Sequence, residues 1–129
     1  MIIKKVTIHN IASIADATID FEAQPLDDAT VFLITGETGA GKTTLLDAIC
    51  LALFNKTPRL ELGMNTEETE KKVKANDTRQ LLRRGADDGS VRLLFKGNDG
   101  VDYESEWQVH RSRKGKLQGI RWTWTSCQT

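Results

Sequence analysis

The sequence predicts an α/β fold in which a buried strand, a glycine-rich turn and one helix lie beside an antiparallel β-meander. Three observations carry that expectation. Val31-Phe32-Leu33-Ile34 is an unbroken apolar run leading into Thr35 and a turn with glycine at 36, 39 and 41, and a continuously apolar strand is one covered on both faces. Directly behind the turn, Leu45, Leu46, Ile49, Leu53 and Phe54 recur at helical spacing. Further on, alternating segments flank Gly97-Asn98-Asp99-Gly100, a strong hairpin signal. At 129 residues the chain has room for one domain with a modest core, and 39% hydrophobic with 28% charged residues is ordinary globular composition.

Taken in order, Ile2–Asn10 alternates loosely, with Ile2, Val6 and Ile8 set against Ile3, Lys5, Thr7 and His9, and reads as a half-buried strand. Ala17–Glu22 alternates cleanly, and the short connection between the two makes them an antiparallel pair. Val31–Thr35 is the buried strand. A helix follows over roughly Lys42–Asn55, its apolar face widened by Ala48, Leu51 and Ala52, and Pro58 ends it. Leu60–Ala75 is polar and is expected to be a mobile loop. Asp77–Arg84 reads as a short helix and Gly85–Gly89 as a turn. Three strands close the chain, Val91–Lys96, Val101–Arg111 and Gly119–Thr125. In the middle one, Val101, Tyr103, Trp107 and Val109 share the core face, opposite Asp102, Glu104, Glu106 and Gln108.

Charge excludes some functions and localises others. The 18 basic and 18 acidic residues balance, so no overall field draws the chain to nucleic acid or membrane. Residues 1–55 carry three basic groups against seven acidic ones, whereas residues 107–129 carry Arg111, Arg113, Lys114, Lys116 and Arg121 with no acid. The longest apolar stretch, Leu45–Phe54, contains Asp47 and is too short to span a bilayer. The lysines at the N-terminus follow the isoleucines with no long apolar region behind them, unlike a secretion signal. Cys50 and Cys127 form no framework of disulfides. A reduced, cytoplasmic protein is the expectation, with no membrane partner.

Gly36-Glu37-Thr38-Gly39-Ala40-Gly41-Lys42-Thr43 matches the phosphate-binding pattern GxxxxGK[ST]. A strand leads in and a helix leads out, the order the pattern requires. A triphosphate presents several anionic oxygens, which a loop satisfies only by turning successive backbone N–H groups inward. Gly36, Gly39 and Gly41 permit that curvature and close backbone approach, and Ala40 is small enough to join them. The helix start adds unpaired N–H donors and a positive dipole end. Lys42 supplies a point charge for the outer phosphates and is the candidate catalytic residue. Thr43 offers a hydroxyl to Mg²⁺, and Thr44 an N–H or hydroxyl to an inner phosphate. Asp47, a helical turn after Thr43, reads as a solvated carboxylate, with a supporting role near the metal as the alternative. Glu37 and Thr38 read as solvated loop residues.

With these residues in view, the sequence resembles the SbcC family, ATPase subunits of bacterial SbcCD exonucleases within the structural-maintenance-of-chromosomes class of ABC-type ATPases. The resemblance rests on the first strand with Asn10-Ile11-Ala12-Ser13, the phosphate loop, and the run Leu45–Leu60, LLDAICLALFNKTPRL. It implies the N-terminal lobe of a P-loop NTPase head whose second lobe lies beyond a long coiled coil. It further implies ATP with Mg²⁺ sandwiched between two copies of the head, a nuclease partner of the SbcD type, and double-stranded DNA ends as the object of the chemistry. On that pattern Gly36, Gly39, Gly41, Lys42, Thr43 and Thr44 match the nucleotide and Mg²⁺ site, and Asn10 and Ser13 fall where the family's strand-loop borders the nucleotide. Relatives often carry a basic residue where this chain has Ala12. No acidic strand end for magnesium and water, no LSGG-type signature and no heptads are present, so residues 1–129 are expected to be the N-terminal half of the head, with little turnover alone.

Two further features remain. Arg111, Arg113, Lys114 and Lys116 are candidates for DNA phosphate contact, against a solvated hairpin tip, and Arg79, Arg83 and Arg84 form a second candidate patch. Trp122 and Trp124 suit either stacking on bases or packing on the sheet core. His9 and His110 lack ligand-spaced partners and read as strand residues. Two rival functions stay open at this level: a DNA-docking platform with a vestigial nucleotide site, and a small self-contained P-loop kinase or GTPase, which would need an acidic strand end or base-specificity motif.

Overall fold

The computed structural model describes residues 1–23, 42–57 and 77–127. The predicted strand Val31–Thr35, the glycines of the phosphate loop, Pro58 and the Leu60–Ala75 loop lie outside the described residues. Within them the order is β1 (Ile2–Ile11), β2 (Ile14–Asp20), α1 (Lys42–Phe54), a 3-10 turn (Thr78–Leu81), β3 (Asp88–Lys96), β4 (Asp102–His110) and β5 (Arg121–Ser126).

The five strands form one antiparallel sheet in the order β2-β1-β3-β4-β5. Both expected units are there, the β1–β2 pair and the β3–β4–β5 meander, and β1 joins them by pairing with β3. A bulge between Ile3 and Lys5 lets Lys4 reach Glu22 at 3.2 Å and Asp102 at 3.1 Å. One sheet face is apolar. Val6, Ile8, Val91, Leu93, Phe95, Trp107 and Val109 are buried there with Ala48, Leu51, Ala52 and Leu53 of α1, each large side chain stabilising the fold by roughly 1.5–3 kcal/mol. The other face carries Thr7, Arg92, Glu104, Glu106 and Gln108, with Arg92 bonded to Glu104 at 3.0 Å and Glu106 at 2.9 Å.

The C-terminal end of α1 is fixed by side chains the periodicity did not single out. Asn55, expected as the last helical residue, instead adopts the left-handed conformation just beyond it (φ 55°), its N–H bonding the Leu51 carbonyl at 3.0 Å. Asparagine tolerates that conformation better than most residues. Its Oδ1 accepts the indole N–H of Trp107 at 2.8 Å, and the Trp122 indole N–H donates to the Ala52 carbonyl at 2.9 Å.

The two hairpins of the meander share one design. Gly97 N–H bonds Val101 O while Gly100 N–H bonds Gly97 O, with Gly100 at φ 78°. Ser112 N–H bonds Lys116 O while Gly115 N–H bonds Ser112 O, with Gly115 at φ 81°. Each is a tight turn closed by a glycine in the conformation other residues avoid. The predicted helix over Asp77–Arg84 is only a 3-10 turn, started by the Asp77 carboxylate accepting the Arg79 N–H at 2.9 Å.

Candidate nucleotide site and basic rim

The candidate site forms where the β1–β2 turn meets the start of α1. Near the end of β1 Asn10 (φ 52°), and just beyond it Ala12 (φ 45°), are both left-handed, a strained course that needs external support. The end of the 3-10 turn and the segment after it supply it. Leu81 O accepts the Ala12 N–H at 2.7 Å, Asn10 O accepts the Arg83 N–H at 2.9 Å, and the Arg83 guanidinium donates to Ala12 O at 3.2 Å. Gly89 completes the support, since a Cβ there would lie 2.7 Å from Asn10 O and 2.7 Å from Leu82 Cδ1.

Held this way, the turn presents Ser13 to the helix. Ser13 Oγ lies 3.2 Å from Thr44 Oγ1, and Thr44 is only 6% exposed. Thr43, one residue earlier, is exposed. Lys42 is the first residue of α1, and the first turn of the helix contains no acid, so no carboxylate of that turn opposes an anion at the positive end of the dipole. Two expected site residues, Ser13 and Thr44, are thus in contact although 31 positions apart. Asn10 is the turn's link to the sheet: its amide nitrogen donates to Asp88 O at 3.1 Å. Gly36, Gly39, Ala40 and Gly41 lie outside the described residues.

Asp47 corrects an expectation. It is 4% exposed rather than solvated, placing a carboxylate in the body of the protein one turn along α1 from Thr43. Together with burial, which is the larger cause, Asp47 raises the pKa of the Cys50 thiol.

The two candidate basic patches meet at this end of the sheet. Arg79 is held by Asp77 at 2.7 Å and donates to Gln118 O at 3.3 Å, while Arg111 N–H bonds Asp87 O at 2.7 Å. Arg79 and Arg83 therefore serve as struts. The Arg111 guanidinium donates to Gly115 O at 3.0 Å, bracing the hairpin. Arg113 and Lys114 form the exposed hairpin tip, with Lys116 exposed beside it. Trp122 and Trp124 lie on the core side of the sheet, opposite Trp107 and Ser105 in the register, with Trp124 edge-on to Phe95 at 5.3 Å.

His9 sits between two carboxylates, Asp16 at 2.8 Å and Asp88 at 3.6 Å. The Asp16 hydrogen bond, ahead of the other contributions, raises its pKa above the ordinary histidine value. Among the described residues no group of three or more His, Cys, Asp or Glu side chains is arranged to hold a metal ion, and no helix is long and apolar enough to cross a membrane.

Comparison with known proteins adds family context. The family model of the AAA domain matches residues 5–127. The chain is similar to the SbcC subunit of the SbcCD nuclease of Rhodobacter capsulatus, 44% identical over 128 residues, covering 93% of this chain and 10% of that protein. It is 45% identical over 117 residues to the SbcC subunit of the Pseudomonas aeruginosa SbcCD nuclease, covering 88% of this chain and again 10% of the relative. The DNA double-strand break repair Rad50 ATPase of Sulfolobus acidocaldarius is 31% identical over 98 residues, covering 76% of this chain and 9% of the relative. Among solved structures, the recombination mediator protein RecF-ATP in the RecFOR pathway superposes with a TM-score of 0.64 at 18% identity, over 99% of this chain and 28% of that one. The chain thus spans about a tenth of the length of these curated relatives.

Proposed function

The chain belongs to the AAA-domain family, and from that premise we propose that it is the ATP-binding N-terminal lobe of an SbcC-type ATPase that works with a nuclease partner on DNA ends in repair and recombination. Its fold is that of an α/β P-loop NTPase lobe. The observation that carries the reading is the contact of Ser13 with Thr44, the residue that closes GETGAGKTT in the first turn of α1.

The residues suit a magnesium-bound triphosphate. The acid-free first turn of α1 offers N–H donors and a favourable dipole end to an anion. Lys42 neutralises charge on the outer phosphates, and the exposed Thr43 hydroxyl is the magnesium ligand. Thr44 takes the inner phosphate, with Ser13 limiting its hydroxyl's rotation, so little ordering remains to be done on binding. When bound, ATP supplies the phosphoanhydride whose cleavage drives the cycle. This lobe's part is to bind and orient; the groups that activate water and cap the phosphate come from elsewhere in the intact protein. A second copy of the head closes over the nucleotide, an SbcD-type nuclease is the partner, and the exposed Arg113, Lys114 and Lys116 contact double-stranded DNA.

Titration of labelled ATP with Mg²⁺ against the wild-type chain and Lys42→Ala tests the reading. The variant is expected to bind at least about tenfold more weakly, and neither protein should show robust turnover. Equal affinity would instead favour a DNA-docking platform, and rapid hydrolysis by the purified chain would overturn the assignment as half of a composite site.

A further inference from the structure

Among the described residues β5 ends the sheet and no strand pairs with its outer edge. All six residues of Arg121–Ser126 are exposed, and their register with β4 is unbroken. Cys127 N–H bonds Asp102 O at 2.8 Å. Bonded and non-bonded pairs alternate along an antiparallel ladder, so Thr125, Thr123 and Arg121 also bond toward β4. Trp122, Trp124 and Ser126 are left with N–H and C=O groups directed away from the sheet. Proteins usually blunt such an edge with a bulge, a proline, charged side chains or a covering helix or loop. Here there is no bulge and no proline, Arg121 is the strand's one charge, and no acid occurs from residue 107 to 129.

We infer that the outer edge of β5 is a strand-addition site for an extended, acidic protein segment. The backbone groups of Trp122, Trp124 and Ser126 provide the ladder, as in other β-augmentation sites. Trp122 at 41% exposure and Trp124 at 49%, edge-on to each other at 6.4 Å, form an apolar wall on the helix side for alternate side chains of the added strand. On the other side Arg121 faces outward, and the exposed Arg113, Lys114 and Lys116 lie in the hairpin leading to β5; none of the four has an ion-pair partner among the described residues. These charges favour acidic residues on the incoming strand. They disfavour a second copy of β5, which would bring like charges together. Nucleic acid fits less well, because the Trp122 indole N–H is committed to Ala52 O and Trp124 lies edge-on to Phe95, which leaves neither ring free to insert between bases. The inference does not depend on the nucleotide reading.

Amide hydrogen exchange followed by NMR on the 129-residue chain tests it. The probe is an acetylated peptide of about eight alternating valine and glutamate residues, a typical strand length. At saturation, exchange at Trp122, Trp124 and Ser126 should slow at least about tenfold, while Arg121, Thr123 and Thr125 change little. Methylating alternate peptide nitrogens should abolish the effect, and replacing glutamate by lysine should weaken binding about tenfold or more. Absence of the alternating protection overturns the proposal. So does its appearance on raising protein concentration alone, which indicates a second copy, or with single-stranded oligothymidine in place of the peptide, which indicates nucleic acid.

Discussion

The Trp107 indole has no solvent access, so its N–H must find an acceptor inside the protein, and Asn55 Oδ1 is that acceptor. Asn55→Gly keeps the left-handed backbone but strands the buried donor, at an expected cost of about 1–3 kcal/mol in urea unfolding. Adding Trp107→Phe removes the donor as well, so the double variant should be less destabilised than the sum of the singles; strict additivity would show that the bond contributes nothing. His9 offers a second test. Its pKa is raised in the folded protein by Asp16 first and Asp88 further down, so its pairing stabilises fully below the unfolded value of about 6.5 and is lost as pH rises through the folded value. The thermal midpoint of the wild type should therefore fall relative to His9→Gln as pH rises from about 6.5, and parallel profiles would exclude the effect. Neither pairing was legible in the sequence. Asn55 read as the end of a helix and His9 as an ordinary strand residue, because the partners that define them are set by the fold rather than by local pattern.

At the scale of elements, the β1–β2 turn places Ser13, and its position depends on a residue with no side chain. Gly89→Ala would force a Cβ against the Asn10 carbonyl, an expected loss of about 1–3 kcal/mol. It should also weaken ATP binding by displacing Ser13 from Thr44, whereas Gly119→Ala, with open space around it, should leave affinity unchanged. Equal ATP affinity in both variants would separate the turn from the nucleotide site. The sequence placed Gly89 in a turn, but β3 already begins at Asp88, and glycine inside a strand marks close backbone approach. The five described strands and α1 were legible, because alternation in β4 and helical spacing in α1 directly record which side chains are buried. The pairing of β1 with β3 was not, since strand order depends on which faces share a core. Asp47 was misread for a related reason: its burial depends on what surrounds α1, not on its own place in the helix.

At the scale of the molecule, the chain balances its charges overall but gathers exposed cations at the tip of the β4–β5 hairpin. Charge reversal at Arg113 and Lys114 is expected to weaken duplex DNA binding and lower the slope of log affinity against log salt by roughly one to two; an unchanged slope would remove the hairpin from the DNA surface. The sequence identified this tip because its cations are consecutive and lack local acids. It could not show that Arg79 and Arg83 are spent as internal struts. The way α1 is fastened has a mechanical consequence. Two indole hydrogen bonds anchor its far end to β4 and β5, while at the near end the described residues offer the Ser13 hydroxyl contact. With the tryptophans as the pivot, about 14 Å along this 13-residue helix from Thr44, a displacement of about 1 Å beside Thr44 corresponds to a tilt of about 4°.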